Sequence, residues 1–260
     1  MQLSGRVALV TGAGSGLGKA AALLLAKEGA SVAALGRTEG ELKEIVKTIK
    51  DADGEALVVV ADISKPDEME KGIAKIIRKY GRLDIVFANA GINGVWAPLE
   101  DLTVEEWQET VNINLNGTFY TVKYAVPHLK KQGGSIIVTA SVNGTRIFSN
   151  TGATAYSSTK AAQVAFTKMI ALELAKSKVR ANVICPGWIE SDIDENTEKR
   201  NLDSVKIPME FPEGTVPLTN GEPGTAEQVA QLVLFLASDA SSHISGTEIW
   251  IDGAQSLLQG

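Results

Sequence analysis

Val7-Ala8-Leu9-Val10-Thr11-Gly12-Ala13-Gly14-Ser15-Gly16-Leu17-Gly18 sets the frame for the whole chain. Residues 7–10 are an unbroken apolar run of strand type, and residues 19–27 carry apolar positions at helical spacing before Gly29 ends the helix. Between them stand Gly12, Gly14, Gly16 and Gly18, interleaved with Ser15 and Leu17. A glycine cluster alone is weak evidence, because any tight strand-to-helix turn uses some. Placed after a first strand and opening a first helix, it is specific. Residues without a Cβ let the chain turn sharply and let backbone N–H groups approach a phosphate, while the helix start adds free donors and the positive end of its dipole. Gly12, Gly14, Ser15, Gly16, Leu17 and Gly18 are expected to hold a dinucleotide pyrophosphate.

The alternation continues outward from that stretch. Residues 32–35, 57–61, 85–88, 135–140, 179–185 and 248–251 are short apolar runs, as in parallel strands buried on both faces. Helical patterns fill the gaps at 41–50, 66–80, 105–129, 156–175 and 226–237. This rhythm predicts an α/β fold of Rossmann type: a doubly wound parallel sheet of about seven strands with helices on both faces. Residues 1–260 read as a single cofactor-binding and catalytic domain. The one long irregular segment, around 190–225, holds Pro208, Pro212, Pro217 and Pro223. It reads as a substrate lid, with a surface insertion as the alternative.

Composition narrows the function classes. A hydrophobic share of 44% supports a large core, and a net charge of −6 argues against nucleic acid or an anionic membrane as partner. No uncharged stretch reaches the ~20 residues that span a bilayer, and no secretory leader precedes Arg6. A single cysteine, Cys185, excludes an internal disulfide and fits the cytoplasm. Two histidines, His128 and His243, leave no material for a His-rich metal site, so no metal is expected.

Two further points concern chemistry. Where dinucleotide folds place an acidic residue for the ribose 2′-OH, this chain reads Leu35-Gly36-Arg37-Thr38. Arg37 there favours a 2′-phosphate, with Thr38 beside it, so NADP(H) is preferred over NAD(H). Tyr156 and Lys160 are four residues apart and share a helical face. A phenol titrates near 10 in isolation, and a neighbouring ammonium lowers that value toward acid–base work at neutral pH.

These motifs give the chain a clear resemblance to the short-chain dehydrogenase/reductase family, of the type with about 250 residues in one domain. Thr11 to Gly18 is similar to that family's glycine loop, and Tyr156-x-x-x-Lys160 to its catalytic pair. Asp62, Asn89-Ala90-Gly91, Asn114, Ser141, Asn182, Pro186-Gly187 and Ile251-Asp252-Gly253 follow in family order along essentially the whole chain. The resemblance implies a catalytic set of Asn114, Ser141, Tyr156 and Lys160. Tyr156 would exchange the proton, Ser141 would orient the substrate oxygen, Lys160 would hold the nicotinamide ribose, and Asn114 would position a water next to Lys160. It also implies cofactor contacts from Asp62, Ile63, Asn89, Ala90, Gly91, Pro186, Gly187, Ile189 and Ser191. The chain has Ala88 where the family commonly has a further asparagine, and Ser191 where threonine is common. Ser141 lies fifteen residues before Tyr156, longer than the usual spacing, which implies an extended loop over 143–154.

The function expected is interconversion of a ketone or aldehyde with an alcohol by NADP(H). An NAD(H)-dependent alcohol, sugar or steroid dehydrogenase and a non-catalytic dinucleotide-binding regulator are the alternatives, and a scaffold leaves the glycine loop unexplained. The partner is a small carbonyl or alcohol substrate, and the family implies a homotetramer or homodimer through residues 105–129 and 156–175. Ile147, Phe148, Trp188, Ile207, Met209 and Phe211 hint at a hydrophobic substrate. Cys185 reads as a buried filler, His128 and His243 as surface or cap residues, and Trp107 as packing. Trp96 and Trp188 are candidate pocket residues. Arg146 reads as a solvated loop arginine, with a substrate carboxylate as the other option, and 195–200 as a solvated helix face.

Overall fold

The opening stretch forms strand β1 (Val7–Thr11), buried along its length, and turns through the glycines into helix α1 (Gly16–Lys27). In the computed structural model, which describes residues 1–190 and 197–259, the chain continues through β2 (Ser31–Gly36), α2 (Glu39–Asp51), β3 (Ala56–Val60), α3 (Pro66–Tyr80) and β4 (Ile85–Ala88). Then come β5 (Val95–Trp96), α4 (Val104–Val111), α5 (Gly117–Leu129), β6 (Gly134–Thr139), α6 (Thr154–Leu174) and β7 (Val179–Pro186). The described chain ends with β8 (Glu198–Lys199), α7 (Ala226–Ala237), β9 (Glu248–Ile251) and α8 (Gln255–Gln259).

Seven of these strands form one parallel sheet in the order β3-β2-β1-β4-β6-β7-β9. It is the doubly wound sheet that the alternating pattern predicts. Alternate residues serve opposite faces. Ala8, Val10, Phe87, Ile137 and Ile184 join the core under α1, α2 and α7, whereas Leu9, Val86, Ile136, Val138 and Val183 join the core under α3, α5 and α6. Covered on both sides, the strands read as continuous apolar runs rather than alternating ones. Winding proceeds outward from β1 to β3, then restarts on the other side of β1 with β4. That reversal opens a crevice beyond the carboxyl ends of β1 and β4, where α/β sheets bind ligands.

Local signals explain several helix ends. Pro66 opens α3, and Gly81 closes it in the left-handed region at φ 74°, its N–H donating to the Ile77 carbonyl. Thr103 and Glu106 form a reciprocal capping box on α4. Three expectations are corrected. The helix predicted over 19–27 begins at Gly16, because its first turn is made of loop glycines that show no apolar spacing. The helix predicted over 105–129 is interrupted: Asn112–Asn116 is a π turn between α4 and α5. The freed Asn114 carbonyl is taken by the Thr118 hydroxyl at 2.7 Å and the Gln163 amide at 2.9 Å, so side chains offset the wider turn. The 190–225 segment is not structureless where described, since it contains β8, which pairs in parallel with β5. No helix among the described residues is long and apolar enough to cross a membrane.

Candidate active site

The glycine loop is shaped by what its backbone excludes. Gly12 sits at φ 67° and Gly16 at φ 46°, conformations that L side chains rarely adopt. A Cβ on Gly18 would collide with the Gly12 carbonyl, so α1 packs onto the strand end only without one. The Ala13 N–H donates to the Leu35 carbonyl, while the first N–H groups of α1, as at any helix start, have no partner within the helix. Thr11 fixes the neighbouring loop: its hydroxyl oxygen accepts from the Asn89 and Ala90 N–H groups at 3.0 and 3.1 Å. Asn89 bridges further, donating to the Thr11 carbonyl and accepting from the Thr139 hydroxyl at 3.1 Å. The ends of β1, β4 and β6 are thus braced together around one asparagine.

Asn114, Tyr156 and Lys160 of the expected catalytic set lie close together at this crevice, and Ser141 follows β6 at its carboxyl end. Lys160 is 4% exposed and donates to the Thr139 carbonyl at 2.8 Å, with its Nζ 5.4 Å from the Tyr156 ring centre one helical turn away. Burial pushes its ammonium down to about 8. Asn114, fully buried on the π turn, is locked by a reciprocal pair with Ile92: its Oδ1 accepts the Ile92 N–H and its Nδ2 donates to the Ile92 carbonyl, both at 2.8 Å. Gly91 is the gap between them, since a Cβ there would lie 2.9 Å from Asn114 Oδ1 and 3.7 Å from Lys160 Nζ. Ser141 sits two residues beyond β6, and its Oγ accepts the Asn143 N–H at 3.1 Å. The hydroxyl proton is therefore left to point elsewhere. Asn143 is itself held by Asn150, whose amide donates to its Oδ1 at 2.9 Å.

Of the other expected cofactor residues, Ile63 is buried beneath the π turn's exit at Gly117, and Asp62 accepts from the Ser64 N–H and hydroxyl. Pro186 ends β7 and accepts from the Val142 N–H; Gly187 follows against Asp252 and Gln255, and Ile189 bridges to Gly224. Arg37 and Thr38 are exposed at the end of β2, with Thr38 at the N-cap of α2. Ser191 lies outside the described residues. The cradle fits a dinucleotide on two counts: a loop that closes only with glycine, and a buried ammonium that donates to a neutral carbonyl.

Several contacts lay outside the sequence reading. Glu41 on α2 lies against the loop, where a Cβ on Gly14 would run into its carboxylate. Trp96 stands beside Tyr156, ring centres 6.5 Å apart at 41°, and its segment is paired with the base of the lid. Of the stretch 195–200, residues 195 and 196 lie outside the described residues; the rest is not a helix face, since 198–199 is a strand and Arg200 grips Glu106 at 2.8 and 3.0 Å. That pairing holds the Glu106 carboxyl down at about 2. Arg146 is a half-buried rather than a freely solvated loop arginine, its guanidinium stacked 3.6 Å above the Trp250 ring. Trp107 is partly exposed rather than packed away, and Ile147 is buried, unlike exposed Phe148, Trp188, Ile207 and Met209. Cys185 is buried, and burial pushes its thiol up to about 12. His243 is exposed and His128 half-buried. A cleft of about 510 Å³ opens along Ser157, Ser158 and Ala161, on the side of α6 turned away from Tyr156 and Lys160.

Comparison with known proteins agrees with this fold. The sequence profile of the family described as "Enoyl-(Acyl carrier protein) reductase" matches residues 12–254. A 3-oxoacyl-(acyl-carrier-protein) reductase of Thermotoga maritima is 38% identical over 97% of this chain and 98% of its own. A 3beta-hydroxysteroid dehydrogenase of Mediterraneibacter gnavus is 33% identical over 95% and 94%. Among solved structures, a 3-ketoacyl-ACP reductase from Sinorhizobium meliloti 1021 superposes with a TM-score of 0.95 at 51% identity, covering 97% of this chain and 99% of that one. Two more, each with a TM-score of 0.86 over 98% of this chain and 99% of theirs, carry different nucleotides. A 3-ketoacyl-(acyl-carrier-protein) reductase from Brucella melitensis, 30% identical, is complexed with NADH. A short chain dehydrogenase from Burkholderia cenocepacia J2315, 28% identical, is in complex with NADP.

Proposed function

The chain belongs to the short-chain dehydrogenase/reductase family, oxidoreductases that move hydride between carbonyl and alcohol with NAD(P)(H), and we propose that it reduces a ketone or aldehyde with NADPH and runs the reverse with NADP⁺. The observation that carries this reading is the buried Lys160 ammonium one turn from Tyr156, with the Ser141 hydroxyl beyond the carboxyl end of β6 keeping its proton free to donate. A regulator that only sensed nucleotide would have no use for that trio.

When bound, the nicotinamide supplies or accepts the hydride. The chain's own residues do the rest. The N–H groups of the loop from Gly12 to Gly18 hold phosphate oxygens, and Asp62, Ile63, Asn89, Ala90, Gly91, Pro186, Gly187 and Ile189 line the cofactor's path. Ser141 donates to the substrate oxygen, because the Asn143 N–H occupies one of its lone pairs. Tyr156 gives its proton to that oxygen in reduction and takes one back in oxidation. The Lys160 ammonium favours the phenolate left behind. Asn114 braces the Ile92 turn with one lone pair of Oδ1 and has the other left for a water facing Lys160.

For cofactor choice, Arg37 at the end of β2 supports NADP(H), and Glu41 against the loop is the charge that opposes it. The segment 190–225 serves as the substrate lid within a single domain. Buried Cys185 suits a reducing, cytoplasmic setting. Exposed Phe119, Met169 and Leu172 on α5 and α6 support a symmetric oligomer, which light scattering would overturn by reporting 27.5 kDa at all concentrations. The reading is tested by following NADPH and NADH absorbance with a panel of ketones and aldehydes. Turnover with NADPH at least about tenfold more efficient than with NADH is expected. Tight nucleotide binding without turnover of any carbonyl compound would favour the regulator instead.

A further inference from the structure

We propose that Arg200 is a positioning residue that clamps the base of the lid onto the β5–α4 stretch and so fixes the wall of the substrate site carrying Trp96 beside Tyr156.

The clamp is built from both backbone and side chain. Val95 pairs with Glu198 and Trp96 with Lys199 in a two-residue parallel ladder, and the Arg200 N–H donates to the Trp96 carbonyl at 2.9 Å. A strand pair this short does not hold itself together in water. The Arg200 guanidinium reinforces it, donating from Nη1 to Glu106 Oε1 at 3.0 Å, and from Nη2 to Glu106 Oε2 at 2.8 Å and to the Asp101 carbonyl at 2.6 Å. Asn201 adds a bond to the Asp101 carboxylate at 2.9 Å, and the Asn93 amide reaches the Thr197 hydroxyl at 2.7 Å. Leu202 packs against Gly152, whose carbonyl accepts from the Ala97 N–H. One short segment, 197–202, therefore ties together the turn after β4, the start of α4 and the loop before α6.

Two features make this a matter of geometry rather than bulk stability. The Arg200 and Glu106 side chains are 32% and 20% exposed, and partly exposed ion pairs contribute little net stability. A bidentate guanidinium–carboxylate pair with a third bond to a carbonyl nonetheless fixes direction as well as distance. Its acceptor is also the capping carboxylate of α4: Glu106 Oε2 accepts the Thr103 N–H at 2.9 Å. The clamp thus acts on the wall, through Trp96, and touches none of the residues assigned to the cofactor. Substrate recognition should feel its loss, and nucleotide binding should not.

The inference rests on the reading of Tyr156 as proton donor, so the experiment has one arm that needs no catalysis. Arg200→Ala should raise KM for the best carbonyl substrate about tenfold or more by loosening the wall, with the NADP⁺ dissociation constant within about twofold of the parent. Glu106→Gln keeps a side chain that completes the capping box but removes the charge, so it should move KM the same way. Combined with Arg200→Ala it should add nothing further. Arg200→Lys should recover only part of the loss, because an ammonium cannot span both carboxylate oxygens and the Asp101 carbonyl. An unchanged KM in Arg200→Ala, an equal loss in nucleotide affinity, or full additivity would overturn the proposal. The second arm is hydrogen exchange at 95–101 and 197–202 in substrate-free protein, which should quicken in Arg200→Ala while the sheet stays protected. Unchanged exchange overturns the clamp whether or not any carbonyl compound is turned over.

Discussion

The nucleotide end of the crevice and its substrate end are held by different kinds of contact. At the glycine loop the decisive restraints lie within the loop: Gly12 and Gly16 take backbone angles closed to other residues, and Gly18 must lack a Cβ because the Gly12 carbonyl is there. At the substrate wall the restraints come from far along the chain. Arg200 finds Glu106 across 94 residues, and Thr197 meets Asn93 across 104. The first end follows from sterics that one residue type satisfies. The second follows from a pairing that many residue types could make and that only the folded chain reveals. The two ends should accordingly fail independently.

The largest effect expected from separating them is at Tyr156. Tyr156→Phe removes the proton but leaves the ring beside Trp96, so kcat should fall by ~10²-fold or more, the scale of general acid–base catalysis. Nucleotide affinity, measured by fluorescence titration, should stay near that of the parent. Near-normal turnover would remove Tyr156 from the mechanism, and a matching loss of nucleotide affinity would show that the two ends are one unit. Next comes Gly18→Ala, which pushes a methyl into the Gly12 carbonyl and should weaken NADP⁺ binding by about tenfold or more, roughly 1.4 kcal/mol. Hydrogen exchange at 95–101 should not change. If affinity survives, the loop has room that its backbone does not show.

The same division explains what could be read from the chain alone. The parallel sheet, α3 and α7 follow from apolar runs already legible in one dimension, and the spacing of motifs singles out Asn114, Ser141, Tyr156 and Lys160 as candidates. The π turn at Asn112–Asn116 was not legible, because its stability depends on Gln163 and Thr118 reaching a carbonyl that no local pattern marks. Arg200 looked like one more charge in a solvated run until Asp101 and Glu106 were seen beside it. Arg146 looked free for the same reason, its stacking partner Trp250 lying over a hundred residues away. Only the loop glycines announce their own constraint.

A smaller effect tests the charges around the loop. Arg37→Leu should lower the preference for NADP(H) over NAD(H) about tenfold, the worth of one charge-assisted hydrogen bond. Glu41→Gln should shift the preference the opposite way, toward NADP(H), by removing a negative charge beside Gly14. Its shift should be smaller, and it should fade as salt rises, since Glu41 is exposed and screened. Ratios of kcat/KM for the two nucleotides at low and high salt decide this. A preference for NAD(H) in the parent, or a Glu41→Gln shift toward NAD(H), would remove both residues from cofactor choice.

The smallest effect, and the one with the least intuitive sign, is at Lys160, where the two ends meet. Its ammonium has an ordinary value of 10.5 when exposed in the unfolded chain and is pushed down to about 8 by burial in the fold. Between those values the unfolded chain holds a proton that the folded chain has given up, so stability rises as pH climbs from about 8 toward 10.5. Below about 8 the folded protein carries the whole cost of a buried cation. Lys160→Met keeps the apolar stem and deletes the charge, so melting at pH 7 should occur at least about 2–4 °C higher than in the parent, with the bond to the Thr139 carbonyl lost as a partial offset. The gain should shrink as both proteins are scanned toward pH 10, while turnover at every pH drops because the phenolate has lost its cation. A variant that melts lower at pH 7 would mean that the Thr139 bond outweighs the burial of the charge. Lys160 would then be a strut of the sheet edge, and the acid–base role would have to stand on Tyr156 and Ser141 without it.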